Sequence, residues 1–302
     1  MSIDTTTNAD DLAEIGSTET TTGTAVARSG VHSGADEQTG NTQPLRKEKI
    51  YLPEKERFEE VPVIAGNSVR GHLRRLLATD LVQRLDYQVT DERLFHLLRA
   101  GGVLEQEGKA EIDVGMRREI RDAFPIIDLL GGSTGNQMFG GTVDVHHLIP
   151  VCAENDWRLR TDASDLPSYD EFVAEWYQTR MHDNPDDTGM DVDFGFDFDA
   201  DADEAAGSQQ MIYHYDILVP NTRFEHSVRF ESYATELARS TMHHGLRLWQ
   251  EEGVIGGMSA AGMGRINIEY DTDLAAGAQR YVEYVDESGG EIIEALDTLA
   301  DK

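Results

Sequence analysis

One apolar stripe constrains this chain more than any other feature. Val69, Leu73, Leu76, Leu77 and Leu81 recur at the three- and four-residue spacing of a helix that buries one face. The stripe opens after Ala65-Gly66-Asn67-Ser68, where Asn67 or Ser68 is a good N-cap, so a helix is predicted over about 68–85. A second stripe, Ala234, Leu237, Ala238, Thr241, Gly245 and Leu248, predicts another helix over about 233–251. Around these two helices the chain reads mainly as strands: 18–29, 49–52, 61–64, 141–151, 211–219, 224–232 and 265–270. Residues 168–181 read as an amphipathic helix, and the tail beyond Asp271 as weaker structure with a short helix. Strands flanked by two helices and joined by long connections predict an α+β fold, an antiparallel sheet with helices on one face.

Charge narrows the class further. The net charge is −31, from 57 acidic residues against 21 Arg and only 5 Lys. Acid excess with scarce lysine suits a protein that stays soluble in molar salt, where the Debye length falls to about 3 Å and self-repulsion is screened. The competing reading is an acidic protein that binds cations or basic partners. The single cysteine, Cys152, cannot form an internal disulfide, and there is neither a long apolar run nor a secretory leader. A reducing cytoplasm without membrane contact is therefore expected.

On such a background a stretch without acid stands out. Val61 to Thr79 holds Arg70, Arg74 and Arg75 and no acidic residue. Arg70 and Arg74 are i and i+4 and point the same way, and unsatisfied N–H groups at Asn67 and Ser68 would add to a phosphate site. The competing account, arginines solvating a helix beside surface acids, has equal weight on these residues alone. A second feature is Gly256 to Arg265, with four glycines in nine residues, which lets backbone approach a ligand closely. It follows a helix and lacks Gly-Lys-Ser/Thr, so it is neither a Walker A loop nor a dinucleotide fingerprint. A simple tight turn explains it equally well.

Together the two features resemble the RAMP superfamily of CRISPR proteins. Ile64-Ala65-Gly66-Asn67-Ser68-Val69-Arg70-Gly71-His72-Leu73-Arg74-Arg75 is similar to the segment opening that family's first helix. Gly256 to Arg265 is similar to its C-terminal Gly-rich loop, and Leu129-Leu130-Gly131-Gly132 to Gly141-Thr142-Val143 to its internal glycine segment. The wording is most like the repeated backbone subunit, the Cas seven family, in type IV versions. The resemblance implies a ferredoxin-like (RRM-type) antiparallel sheet core with helical thumb-like and acidic insertions. It divides the chain into a leader (1–17), a first part of the core (18–85), a thumb-like insertion (86–125), core continuation (126–182), an acidic insertion (183–207), the second half of the core (208–271) and a tail (272–302). It also implies the partners: guide RNA (crRNA), a target nucleic acid reached by guide pairing, further copies of the chain and other CRISPR effector subunits. Asn67, Ser68, Arg70, Arg74 and Arg75 would contact guide phosphates; Gly257, Ser259 and Arg265 would line the same groove, with His32, Arg46 and Lys47 beside them.

Two other classes compete. Some type III relatives cut target RNA with an Asp in the loop after the first strand; here Asp36 is the only Asp in that loop and lies earlier than expected. An unrelated enzyme binding a phosphorylated small molecule through the Gly-rich loop is the other. No histidine pair has ligand spacing: His146-His147 alternates faces in a strand, and His243-His244 diverge on a helix. The acidic run Asp191 to Asp199 lacks the ligand order of an EF-hand, so neither a metal nor a cofactor is expected.

Overall fold

The computed structural model describes residues 18–36, 40, 42–102, 114–134, 137–162, 164–180 and 211–300. The leader 1–17 and the acidic insertion 183–207 lie outside the described residues.

The central sheet is built from β1 (Thr20–Ala27), β7 (Val143–Val145), β8 (Ile149–Pro150), β11 (Arg223–Phe230) and β12 (Ile266–Tyr270). Its order is β12-β1-β11-β7, with β8 also on β11, and all its pairings are antiparallel. Two helices, α1 (Gly66–Arg84) and α5 (Glu236–Glu252), make the crossovers β1-α1-β7 and β11-α5-β12. That is the split β-α-β-β-α-β arrangement of a ferredoxin-like core.

Period-two alternation sets the faces. Thr21, Gly23, Ala25 and Ala27 of β1 are buried against the helices, while Thr20 and Thr24 face out. Phe224, His226, Val228 and Phe230 of β11 do the same. The α1 stripe meets this layer with Val69, Leu73, Leu77 and Leu81 fully buried, each worth roughly 1.5–3 kcal/mol. Helices α1 and α5 approach closely because Gly245 is bare: a Cβ there would sit 3.1 Å from Leu77 Cδ1.

The segment after α1 is helical, with α2 (Glu92–Ala100), α3 (Val114–Ala123) and α4 (Pro125–Leu130). Leu94, Leu97, Leu98, Ile120 and Phe124 belong to the main core. A short ribbon follows, β5 (Gly132–Thr134) with β6 (Gln137–Phe139).

Four expectations need correction. In place of the helix expected over 168–181, the described residues 168–180 form a 3-10 turn, Tyr169–Phe172, followed by a strand, β9 (Val173–Arg180). That strand pairs with β10 (Met211–Leu218), so cross-strand partners override the helical reading. The 141–151 strand is broken into β7 and β8, because Leu148 leaves the ladder to bridge Ile64. The tail is a major element: α6 (Leu274–Gly277) and α7 (Gln279–Ala300), with a non-helical Ser288, bury Tyr281, Val285, Ile292 and Leu296. Lastly, α1 begins two residues early, with Ala65 as its N-cap and no side-chain cap.

Outside the central sheet, β2 (Thr42–Gln43) joins β10 and β9. A hairpin of β3 (Lys47–Leu52) and β4 (Arg57–Pro62) packs Ile50, Leu52 and Val61 onto a second, small core with Cys152. Burial pushes the Cys152 thiol up to about 12, so it is held as an inert thiol. No helix of the described residues is long and apolar enough to cross a membrane.

Candidate nucleic-acid interface

The segments singled out in the sequence meet around the loop after β1. His32 is the pivot. Its carbonyl accepts from the Gly257 N–H at 2.9 Å, and a Cβ on Gly256 would lie 2.4 Å from that oxygen, so glycine is required there. The Gly264 N–H donates to Gly30 O at 2.8 Å, and the Arg265 N–H to Ser29 Oγ at 3.0 Å. The Gly-rich loop is thus strapped to residues 28–32 along its length. Its crest, Ser259–Ala261, is a single exposed 3-10 turn.

From the same loop the connection runs to α1. The Arg46 N–H donates to Ser33 O at 2.7 Å, and the Val63 N–H to Arg46 O at 3.0 Å. Ile64 then exchanges both backbone bonds with Leu148. The Gly66 N–H, first of α1, donates to His147 Nδ1 at 2.8 Å. The imidazole thereby stands in for the missing cap, with Nδ1 as the acceptor. The helix start and the Gly-rich loop are therefore linked through His32, Arg46 and Val63.

The individual residues separate into two groups. Asn67, Ser68 and Arg75 are exposed on α1, and Gly257, Ser259, Arg265 and Lys47 are exposed nearby. Arg70 and Arg74 do point the same way, but inward. Both guanidinium groups donate to the Leu130 carbonyl, and Arg74 also donates to Gly131 O at 2.8 Å. Arg74 is only 5% exposed. Burial, then the Arg70 charge, pushes Arg74 down to about 10, and its Nη1 is buried without a hydrogen-bond partner among the described residues. These two arginines satisfy the carbonyl end of α4, as cations do at helix C-termini. The expectation of a free amide at Ser68 is also corrected. Ser68 and Val69 donate to Ala65 O at 2.9 and 3.2 Å, so the side chains of Asn67 and Ser68 are what face solvent.

His32 lines the junction through its backbone. Its ring is buried, donating from Nδ1 to Asp216 O at 2.8 Å and standing edge-on to Tyr215. Arg46 pairs with Asp36, which occupies the one loop carboxylate considered for metal chemistry. Among the described residues no cluster of three or more His, Cys, Asp or Glu could hold a metal.

Three cations escaped sequence reading. Arg28 is exposed, and its N–H donates to Arg265 O at 2.6 Å, so it stands beside Arg265. Arg158 and Arg160 line a hollow of about 430 Å³ on the open sheet face, together with His146, His147, Glu225 and Ser227. Burial raises the Glu225 carboxyl, but N–H groups of Arg160 and Thr161, the Thr161 hydroxyl and the Arg160 charge outweigh it and hold it low. The signal available was weak: Arg158 and Arg160 sit in a segment with no periodicity, and only the fold carries them to His147.

No protein-family profile and no curated protein matches the chain. Among solved structures, a chain described as "Type IV-B CRISPR Complex" superposes with a TM-score of 0.56. The alignment covers 84% of this chain and 91% of that one at 18% identity. The two share a fold.

Proposed function

We propose that this chain is an RNA-coating backbone subunit of a CRISPR effector complex. In this reading it is a RAMP protein of the Cas seven family that binds guide RNA, stacks with further copies of itself and joins other effector subunits in a salt-adapted cytoplasm. The observation that carries the reading is the convergence of three separate segments on one junction at His32. Around that junction Asn67, Ser68, Arg265 and Arg28 are exposed, and Arg75 is exposed two turns further along α1. Fold likeness to a chain of a type IV-B complex supports the same reading.

Such a surface suits backbone tracking. Arginines and small polar groups hold phosphates without reading bases, leaving sequence to guide pairing. Arg70 and Arg74 act here as positioning residues that fix α1 against α4.

The test is isolation of the chain with its operon neighbours, followed by sequencing of co-purifying RNA. Guide RNAs with repeat-derived ends on a particle holding several copies are expected, and Arg75→Glu with Arg265→Glu should strip them away. A monomer free of nucleic acid, with the partners present, would refute the reading.

A further inference from the structure

The β3–β4 hairpin carries two faces of opposite character. One packs Ile50, Leu52 and Val61 onto the small core. The other presents Lys47, Lys49 and Tyr51, with Phe58 directly across from Tyr51 in the register. This face is open: Tyr51 is 50% and Phe58 61% exposed. The two rings lie 5.1 Å apart, and the Lys49 ammonium sits 4.9 Å from the Phe58 centroid.

Composition makes the face unusual. The chain has five lysines, and all three among the described residues, Lys47, Lys49 and Lys55, lie on this hairpin. One acid, Glu60, stands opposite Lys49. The buried face already anchors the hairpin, so folding does not call for two exposed rings with lysines beside them. Exposed aromatics interleaved with cations are what single-stranded nucleic acid uses: bases stack on the rings while the ammonium groups follow the phosphates. Stacking also resists salt, whereas phosphate pairing weakens with log salt. The face begins where the interface above ends, since Lys47 follows Arg46, whose backbone is bonded to Ser33 and Val63.

We propose that the open face of the β3–β4 hairpin, Tyr51 and Phe58 with Lys47 and Lys49, is a stacking platform for unpaired bases of single-stranded nucleic acid. It rests on the reading above for the identity of the strand, one that continues past the α1 interface.

The test uses the full chain and a uridine-rich RNA oligonucleotide carrying 5-iodouridine. Photo-crosslinks are expected at Tyr51 or Phe58. Tyr51→Ala with Phe58→Ala should lower affinity about tenfold while leaving the salt dependence unchanged, because no charge is removed. Crosslinks elsewhere, with affinity within about twofold of wild type while Arg75→Gln with Arg265→Gln still weakens binding, would overturn the platform alone. Loss of self-association with unchanged oligonucleotide affinity would overturn it in favour of a contact between copies. Failure of the wild-type chain to bind RNA at any salt would overturn the platform and the reading beneath it together.

Discussion

Arg74 and Arg75 are neighbours on one helix and have opposite fates. Arg74 is buried, and its Nη2 donates to the carbonyls of Leu130 and Gly131. Arg75 is exposed, curled over bare Gly71, and has no carboxylate within ion-pair distance among the described residues. A one-residue step turns a helical side chain by about 100°, enough to move a cation from core to solvent. The comparison teaches that an acid-free basic segment does not by itself say which of its cations face solvent. Here Arg70 and Arg74 build the helix's seat, and Arg75 is left in solvent.

That division makes predictions, from the largest effect to the smallest. Arg74→Ala should cost about 3 kcal/mol or more in denaturant unfolding, because it opens a cavity and takes its donor from Gly131 O, leaving Leu130 O to Arg70 alone. A value near zero would mean that Arg74 faces solvent, and the contrast with Arg75 would collapse. Gly256→Ala tests the strap that joins the Gly-rich loop to His32. With φ at +80° and a Cβ 2.4 Å from His32 O, it should cost about 2 kcal/mol. Gly262→Ala has φ at +84° but open space around it, and should cost only about 1 kcal/mol. Equal costs for the two glycines would show that the strap is not tight.

Acid sensitivity offers a third handle, on the core beneath the interface. Burial, then the neighbouring His146 charge, pushes His226 down to about 3, while Tyr270 Oη lies 2.8 Å from its Nδ1. The unfolded chain takes up a proton near pH 6.5 and the folded one does not. Stability should therefore fall as pH drops from about 6.5 toward 3, by up to about 1.4 kcal/mol per pH unit from this group. In His226→Phe that part of the slope should vanish from a series of melting curves. The smallest effect is Arg75→Ala, expected within about 0.5 kcal/mol of wild type in the same unfolding assay. A large loss there would make Arg75 a structural residue like Arg74.

Much of this fold was legible in the sequence. The α1 stripe survives folding with Leu76 alone half-buried; in α5 the helix is where the stripe placed it, but Leu237 and Leu248 are half-buried, and Met242, Leu246 and Trp249 complete the core face. What the sequence hid depends on partners distant along the chain. Strand β9 shows no clean alternation and is held by its ladder with β10. Helix α7 looked weak because Ser288-Gly289-Gly290 interrupts it, yet Tyr281 and Ile292 bury into the core. The candidate interface was legible as segments and not as geometry. Nothing local to Arg70 reveals the Leu130 carbonyl, and nothing local to Gly66 reveals that the imidazole of His147, 81 residues away, replaces its cap.

The central claim is that the outward cations of α1 and the Gly-rich loop hold RNA phosphates, and the salt dependence of RNA affinity tests it most directly. Arg75→Gln with Arg265→Gln should keep wild-type stability and make the slope of log affinity against log salt shallower by about 1.4, the share of two phosphate contacts on a single strand. An unchanged slope and affinity in a folded double variant would contradict the account.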